Sequence, residues 1–539
     1  MKLFANGKII SSASNNEIIE AFLVDNDGKI IETGNTKVLK KKYPEAEIND
    51  LNKKTVLPGL NDSHLHLFQY GLGKTKVNLA DTTSIVEIKK RVKNYINEND
   101  LKENQWIEGK GWNDENFEKP SFPTASDLDE ISQEYPIILK RACFHVATVN
   151  SKAMELCGIN ENTPDPEGGE IGRDENGKAN GIFYDEAIEI LESKIPQKNL
   201  GEIKEILKEA FTDALACGLT SIQVDDFFNV EDPKKILEAY LELKEEKEIP
   251  LRINLQMRIP SKSKINNFKE KGLITGYGDQ YFKIGPLKFV LDGSLGARTA
   301  ALKQPYNDKK STTGKSLYEQ EKFNDICKFS VENGYQIAVH AIGDKAIEMA
   351  LNAFDYAYKN DEQAQKNRPI IVHAQISNEK LNKLMKDKGI IASIQPIFIK
   401  SDWAVIENRV GKERSKLSYA WKTYFENGIH LAGSSDAPIE PFNPFLGIYT
   451  AVCRQDLNNN PEKGWHPDEK MNVEEALQIF TEGSAYQSFE ENLKGTLSEG
   501  KLADFVVIDR DITQTNPSSI KDTQVLATYV GGELVYEKN

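Results

Sequence analysis

The sequence predicts an α/β protein: a TIM-like (β/α)8 barrel, a small β-sandwich domain formed by both termini, and a large insertion after strand one. Three observations predict it. Amphipathic helical stretches end in glycine and run straight into short apolar strands. Strands of this kind number eight. The two chain ends are patterned for hairpins instead.

The recurring unit is plain in the second half. "EILKEAFTDALACGLTSIQVDD" turns at Gly218, "FNDICKFSVENGYQIAVHAIGD" at Gly334, "EKLNKLMKDKGIIASIQPIF" at Gly389 and "AWKTYFENGIHLAGSSDAP" at Gly428. A glycine just past a helix end supplies the left-handed cap, and strands joined through helices are parallel. The expected strands are 56–64, 219–225, 251–258, 286–292, 336–340, 370–373, 390–396 and 430–436. A doubly wound sheet is the alternative architecture. Between the first two strands lie about 150 residues, far more than a crossover needs, so an inserted subdomain is expected at about 75–205. At the ends, Asn6-Gly7, Asp27-Gly28 and Gly531-Gly532 sit between short strand-like runs, as hairpin turns do. The expected division is therefore 1–55 with 490–539 as the β-sandwich, and 56–489 as the barrel.

The 539 residues are 39% hydrophobic and 28% charged, an ordinary globular composition, and the net charge of −15 argues against a nucleic-acid or anionic-membrane surface. No secretory h-region opens the chain and no apolar run reaches membrane-spanning length. Five scattered cysteines without a Cys-x-x-Cys pair read as reduced thiols, so a cytoplasmic protein is expected. A homodimer is left open.

Ionisable residues recur where the strands end. His64 and His66 end strand one in "VLPGLNDSHLH"; Lys288 lies on strand four; His340, His373 and Asp436 close strands five, six and eight. A lone His-x-His is commonplace. A parallel barrel, however, brings all these ends to one rim, and four of the seven histidines then share it. Histidine nitrogens plus a carboxylate, with a position left for water, suit a catalytic divalent metal, one ion or two. Asp436 is the expected general base and then general acid. A lysine on an apolar strand needs an explanation, and a salt bridge between Lys288 and Asp292 is the structural one.

These segments together resemble the amidohydrolase superfamily, and more closely its YtcJ-like (amidohydrolase-3) branch. "PGLNDSHLH", the strand-four lysine, "VHAIGD", "VHAQ" and "AGSSDAPIEPFNP" carry the resemblance, with "RACFHVATVNSKAMELCGI", "PDPEGGEIGRDENGKANGIFYDEA" and "DGSLGARTAAL" extending it over nearly the whole chain. It implies a (β/α)8 barrel with a terminal β-sandwich. It also implies His64, His66 and Asp436 on one metal, His340 and His373 on a second, and a carbamylated Lys288 between them; some relatives use one metal only. Zinc is the metal such donors favour, with manganese, iron or cobalt as substitutes. Two departures fall in the insertion: Cys143-Phe144-His145 stands where many relatives read Asp-Gly-His, and Pro123-Thr124-Ala125 where they read Pro-Thr-Arg. Substrate selection is expected there.

Substrate-binding candidates are His145, Asp292, Arg298 and Trp112, each weighed against a core or ion-pair role. His430 and His466 are left outside the site. The expected activity is hydrolysis of a C–N bond in a small amide, N-acyl, formamide or cyclic amide substrate. A nucleobase-type deaminase and a non-catalytic metal-binding barrel are the competing readings. The deaminase would want a glutamate after the strand-five histidine, where "HAIGDKA" offers Gly343 and Asp344.

Overall fold

Apolar runs rich in Ile, Val, Leu and Ala lie side by side as one parallel sheet: β1 (Leu60–Leu65), β2 (Leu219–Val224), β3 (Arg252–Met257), β4 (Phe282–Val290), β5 (Ile337–Ala341), β6 (Ile370–His373), β7 (Ile391–Ile394) and β8 (His430–Gly433). This computed structural model describes residues 1–15, 17–230 and 232–538. The strands follow one another in chain order, every pair parallel. The two edge strands then meet. The Asp436 amide donates to the His64 carbonyl at 2.9 Å, and the His66 amide to the Ala437 carbonyl at 2.7 Å. That is a nearly closed barrel and not a doubly wound sheet. Strands such as β1, β2 and β3 are buried at every position, as parallel strands covered on both faces must be. The four predicted cap glycines, Gly218, Gly334, Gly389 and Gly428, all have positive φ (81°, 88°, 63° and 77°).

Three elements differ from the sequence reading. The run expected as one strand, 56–64, is two. Thr55–Pro58 pairs with Lys8–Ser12 and Phe505–Ile508 in another sheet, and only Leu60–Leu65 enters the barrel. Gly59 is the break between them: a Cβ there would lie 2.1 Å from Thr220 Oγ1, so the chain can bend against β2 only without a side chain. The last barrel strand stops at Gly433, and Asp436, with φ 59°, sits on the loop beyond it. Finally, β4 begins at Phe282, four residues ahead of the expected start.

The termini build two further sheets. One runs Ile30–Gly34, Ala21–Val24, Lys2–Ala5, Glu47–Asp50; the other Glu533–Glu537, Val525–Val530, Phe505–Ile508, Thr55–Pro58, Lys8–Ser12, Glu17–Ile19. Phe4, Phe22 and Phe505 meet in the apolar core they share, at centroid separations of 4.8–5.2 Å. Gly531-Gly532, both with positive φ, turns a hairpin as predicted, and Asp27-Gly28 turns another. Asn6-Gly7 does not. It carries the chain from Lys2–Ala5 in one sheet to Lys8–Ser12 in the other, because those two strands pair with different neighbours.

By its internal contacts the chain divides into two units, Met1–Gln69 with Ile203–Asn539, and Tyr70–Glu202. The second has its own six-stranded sheet, Gly169–Arg173, Ala179–Asp185, Val146–Val149, Ile137–Arg141, Ile107–Trp112, Val77–Asn78, with an apolar cluster on either side. Among the described residues, no helix is long and apolar enough to cross a membrane.

A buried clamp ties the terminal sheets to the barrel. Arg252, the first residue of β3, gives a two-pronged bond to Asp504 (Nε–Oδ2 2.6 Å, Nη2–Oδ1 2.8 Å), and Asp504 also accepts the Gly531 amide at 2.8 Å. Both side chains are almost wholly enclosed. Replacing Asp504 with alanine leaves a buried, unpaired guanidinium, so Asp504→Ala is expected to lower the unfolding free energy by about 3–5 kcal/mol in denaturant titrations. A loss under about 1 kcal/mol would show that the clamp carries little of the stability.

A candidate metal centre at the barrel rim

Alternation along a strand places residues two apart on one face, and His64 and His66 follow that rule at the end of β1, ring centroids 5.3 Å apart. The Nε2 atoms of both lie near one oxygen, Asp436 Oδ1, at 3.3 and 3.2 Å. From β4 the Lys288 Nζ comes to 3.3 Å from His64 Nε2. His373, closing β6, faces His64 with ring centroids 5.9 Å apart, and His340 on β5 lies 4.3 Å from His373 by the same measure. The six residues named from the sequence therefore share one buried cluster, drawn from β1, β4, β5, β6 and the loop after β8.

What makes the cluster chemically specific is the other nitrogen of each ring. His64 Nδ1 meets Gln256 Oε1 at 3.1 Å, and that amide is oriented by its own Nε2, which donates to the Ser63 carbonyl. His373 Nδ1 meets Gln395 Oε1 at 2.8 Å, with Gln395 Nε2 donating to Ser393 and Ser434. His66 Nδ1 meets the Asp225 carbonyl at 2.7 Å. Each partner is an oxygen that can only accept, so each Nδ1 carries the hydrogen and each Nε2 presents a lone pair. His340 is turned the other way, with Nε2 3.4 Å from both the Gly293 carbonyl and Asp292 Oδ1, which leaves Nδ1 as its lone-pair nitrogen.

The electrostatics agree. Burial lowers His64 to about 4 and His373 to about 3, and drives His340 well below the ordinary histidine value; nearby Lys288 works in the same direction. These imidazoles are kept neutral at physiological pH, with a lone pair free to donate. Burial opposes ionisation of Asp436, and His64, His66 and His373 hold its carboxyl well below the usual range only while a proton stands between ring and carboxylate; with the Nε2 lone pairs facing it, a cation has to take that place. His66 is the exception: burial disfavours its cation, but Asp436 and Asp225 outweigh burial and raise it. Those carboxylates favour positive charge at that point whatever its source. Asp436 Oδ1 is buried, and although two imidazole nitrogens lie within 3.3 Å, it has no hydrogen-bond partner of acceptable angle among the described residues. A carboxylate oxygen and lone pairs gathered around one point repel one another unless a cation lies between them, so the donor set fits a divalent metal.

Three residues at this rim were missed by sequence reasoning, and the first is Asp225, just beyond β2. His64, His66 and Asp225 each offer a ligand atom within 4.8 Å of the others. The Asp225 carboxylate is already taken up by Arg258, at 2.7–3.0 Å, and stands 3.8 Å from Lys288 Nζ. The acid pair ending "TSIQVDD" was its signal. Gln256 and Gln395, the other two, are neutral amides inside apolar strand ends, a pattern that sequence alone gives little reason to single out. Burial brings Lys288 down to about 8, against the pull of Asp225.

Lys288 is not paired with Asp292. β4 ends at Val290, so strand alternation no longer relates the two, and the Asp292 carboxylate turns instead to the amides of Ala301, Ile342 and Gly343 at 2.8–3.1 Å. Asp292 thereby pins the loops after β4 and β5 and backs His340. Arg298, with φ 60°, forks onto Asp308 at 2.8 and 3.1 Å, a loop-ordering ion pair.

The remaining candidates lie in the Tyr70–Glu202 unit. Trp112 is a packing residue there and not a pocket wall: it is fully buried, its indole N–H donates to the Leu139 carbonyl at 3.1 Å, and Phe122 meets it edge-on. His145 is exposed, with Nδ1 2.7 Å from Asp185 Oδ1. Thr124, in the other departure from the family pattern, caps the helix Ala125–Asp129 through a reciprocal bond with Asp127.

Residues 47–536 match the model of the Amidohydrolase family. The chain is 35% identical over 540 residues to the YtcJ protein of Bacillus subtilis (strain 168), covering 100% of this chain and 99% of that one. It is 26% identical to the N-substituted formamide deformylase of Arthrobacter pascens, over 99% and 98% of the two chains. Among solved structures, an uncharacterized metal-dependent hydrolase from Pyrococcus furiosus superposes with a TM-score of 0.78 at 30% identity, over 95% of this chain and all of that one. With a parallel barrel whose rim gathers four histidines, a lysine and an aspartate, this chain belongs to the amidohydrolase family, on the branch that includes YtcJ.

Proposed function

We propose that the protein hydrolyses a C–N bond of a small amide, formamide, N-acyl or cyclic amide substrate, using a divalent cation held at the barrel rim. The observation that carries the reading is the pair of imidazole lone pairs, on His64 and His66, turned onto the buried Asp436 carboxylate, with His373 and His340 beside them. The formamide deformylase among the relatives supports the choice of bond.

His64, His66 and Asp436 would hold one ion, zinc being the one these donors favour, and His340 and His373 a second. Lys288, its amine within reach of neutrality, would on taking up CO2 as a carbamate, with release of a proton, become an anionic oxygen donor for a cation. When bound, such a cation supplies Lewis acidity and lowers the pKa of water at the site. The chain's own residues do the rest. Asp436, ionised and buried, accepts a proton from the attacking water and returns it to the leaving nitrogen. Gln256, Gln395 and the Asp225 carbonyl hold the imidazoles in one tautomer, and Asp292 holds the loop behind His340. Asp225 and Arg258 keep the neighbourhood of Lys288 charge-balanced.

A hydrolysis screen of N-substituted formamides, N-acyl amino acids and cyclic imides, run with metal analysis of the purified protein, tests the reading. Bound zinc or a similar ion and turnover of one of these classes are expected, with activity lost on chelation. Asp436→Asn should cut kcat at least about 100-fold when rates are compared per bound metal. Rates within a few-fold of wild type would remove Asp436 as the proton carrier. Gln395→Leu removes the acceptor behind His373 together with the Nε2 bonds to Ser393 and Ser434, and metal affinity is expected to weaken by about 10–100-fold while circular dichroism shows the fold intact. Unchanged affinity in a competition with a chelating dye would show that the tautomer of His373 does not depend on Gln395.

A further inference from the structure

Arg258 is the first residue beyond β3, at the same end of the barrel as the histidine cluster. Its guanidinium is held along one edge only. Nε lies 3.0 and 2.7 Å from the two Asp225 oxygens, and Nη2 lies 2.7 Å from Oδ2, so the carboxylate occupies the Nε–Nη2 side. Nη1 donates no hydrogen bond among the described residues, and it is open to solvent, in contrast to the enclosed and unpartnered Nη2 of Arg454. The Arg258 side chain keeps 23% of its surface exposed while Asp225 keeps none. A guanidinium carries five N–H groups in a rigid plane, and a fork whose tip is free can take a second carboxylate.

Packing fixes this fork beside the histidines. Its central carbon lies 4.5 Å from the centre of the Phe228 ring, and that ring lies 4.7 Å from the His66 ring. On its other side the Asp225 carboxylate stands within 4.8 Å of a nitrogen of His64 and of His66. Swinging Arg258 away would break both the stacking and the ion pair. The gap to His66 is one aromatic ring wide, so an anion on the fork belongs close to the reacting bond.

Charge along the rim points the same way. The chain carries −15 overall, yet residues 298–315, in the loop after β4, hold Arg298, Lys303, Lys309, Lys310 and Lys315 against one acid, Asp308. Arg298 shares that acid with Arg409, and Lys303 is paired with Glu348. The loop leaves the barrel beside His340, whose Nε2 lies 3.4 Å from the Gly293 carbonyl. A positive loop at the mouth of a negative protein draws anions toward it.

We propose, on the basis of the hydrolase reading, that Arg258 binds a carboxylate of the substrate, attached near the amide nitrogen as in an N-acyl amino acid. The substrates are then acidic amides, and a neutral amide leaves the fork unfilled.

N-methylsulfonylalanine and its carboxamide resist hydrolysis and differ in that one anionic group, so they read binding apart from turnover. Calorimetric titration of the full-length, metal-loaded protein is expected to show the acid binding at least about tenfold tighter. Arg258→Gln should bring the two affinities within about twofold of each other at equal metal content. Circular dichroism and thermal melting check that the variant is folded; where it melts early, Arg258→Lys, which keeps a cation beside Asp225 but no fork, replaces it with the same expectation. Equal affinities in the wild type, or no binding of the acid, overturn the proposal. So does an acid preference that survives in the variant, since the carboxylate would then sit on the metal ions. Turnover separates the two readings. Hydrolysis of N-formylalanine and its carboxamide at equal kcat/KM removes the role of Arg258 and leaves the hydrolase standing. An Arg258-dependent acid preference in binding, with no amide hydrolysed, keeps the carboxylate site and removes the hydrolase.

Discussion

Everything at the rim depends on neutral oxygens that hold histidine hydrogens. Gln256, Gln395 and the Asp225 carbonyl each accept from an Nδ1, and that single choice turns three Nε2 lone pairs the same way. Were these acceptors carboxylates, they would compete for protons and raise the imidazole pKa values. Because they are amides and a backbone carbonyl, burial is free to keep His64 and His373 neutral. The one charged partner in the ring, Asp436, is then left to face the lone pairs directly. A cation at that point resolves the conflict, whether a metal ion or a proton on His66, which Asp436 and Asp225 favour.

The acceptors in turn depend on the barrel being held in register. Gln256 reaches His64 only if β1 and β3 keep their places, and β1 is a six-residue strand entered through the Gly59 bend. Its entry is fastened from outside: the Gly59 amide donates to the Asp504 carbonyl at 2.8 Å, and the Asp504 carboxylate grips Arg252 at the start of β3. The same aspartate therefore positions the strand that bears His64 and the strand that bears Gln256. A contact among the terminal sheets is in this way a determinant of ligand geometry at the far end of two strands.

Much of this was legible in the sequence, and the gaps have physical causes. His64, His66, His340 and His373 could be read because histidine is rare in this chain and each one ends an apolar run. Lys288 stood out because an amine is costly there. Thr55–Pro58 and Leu60–Leu65 merged into one expected strand because hydrophobicity is continuous across them, and only the steric conflict at Gly59 divides them. Asn6-Gly7 has the composition of a hairpin turn, but a turn's residues do not say which strands its neighbours will pair with. Asp225 was overlooked because an acid pair at a strand end resembles any solvated terminus. Trp112 could not be separated from a pocket wall, since burial and packing are properties of the fold and not of residue type.

Lys288 shows how the parts act together. It lies among His64 and, at longer range, Asp225 and Arg258, with no carboxylate closer than 3.8 Å among the described residues. A lysine meant as a permanent cation would be given a close acid, as Lys494 is by Glu490. Here the nearest acid is claimed by Arg258, whose own charge opposes the ammonium form, and burial does the rest. Arg258 is meanwhile stacked on Phe228, which packs against His66, so the residue that engages Asp225 also walls the histidine cluster. The result is an amine kept reactive beside an imidazole lone pair. That is the state the proposed carbamylation of Lys288 requires, since only the neutral amine adds CO2.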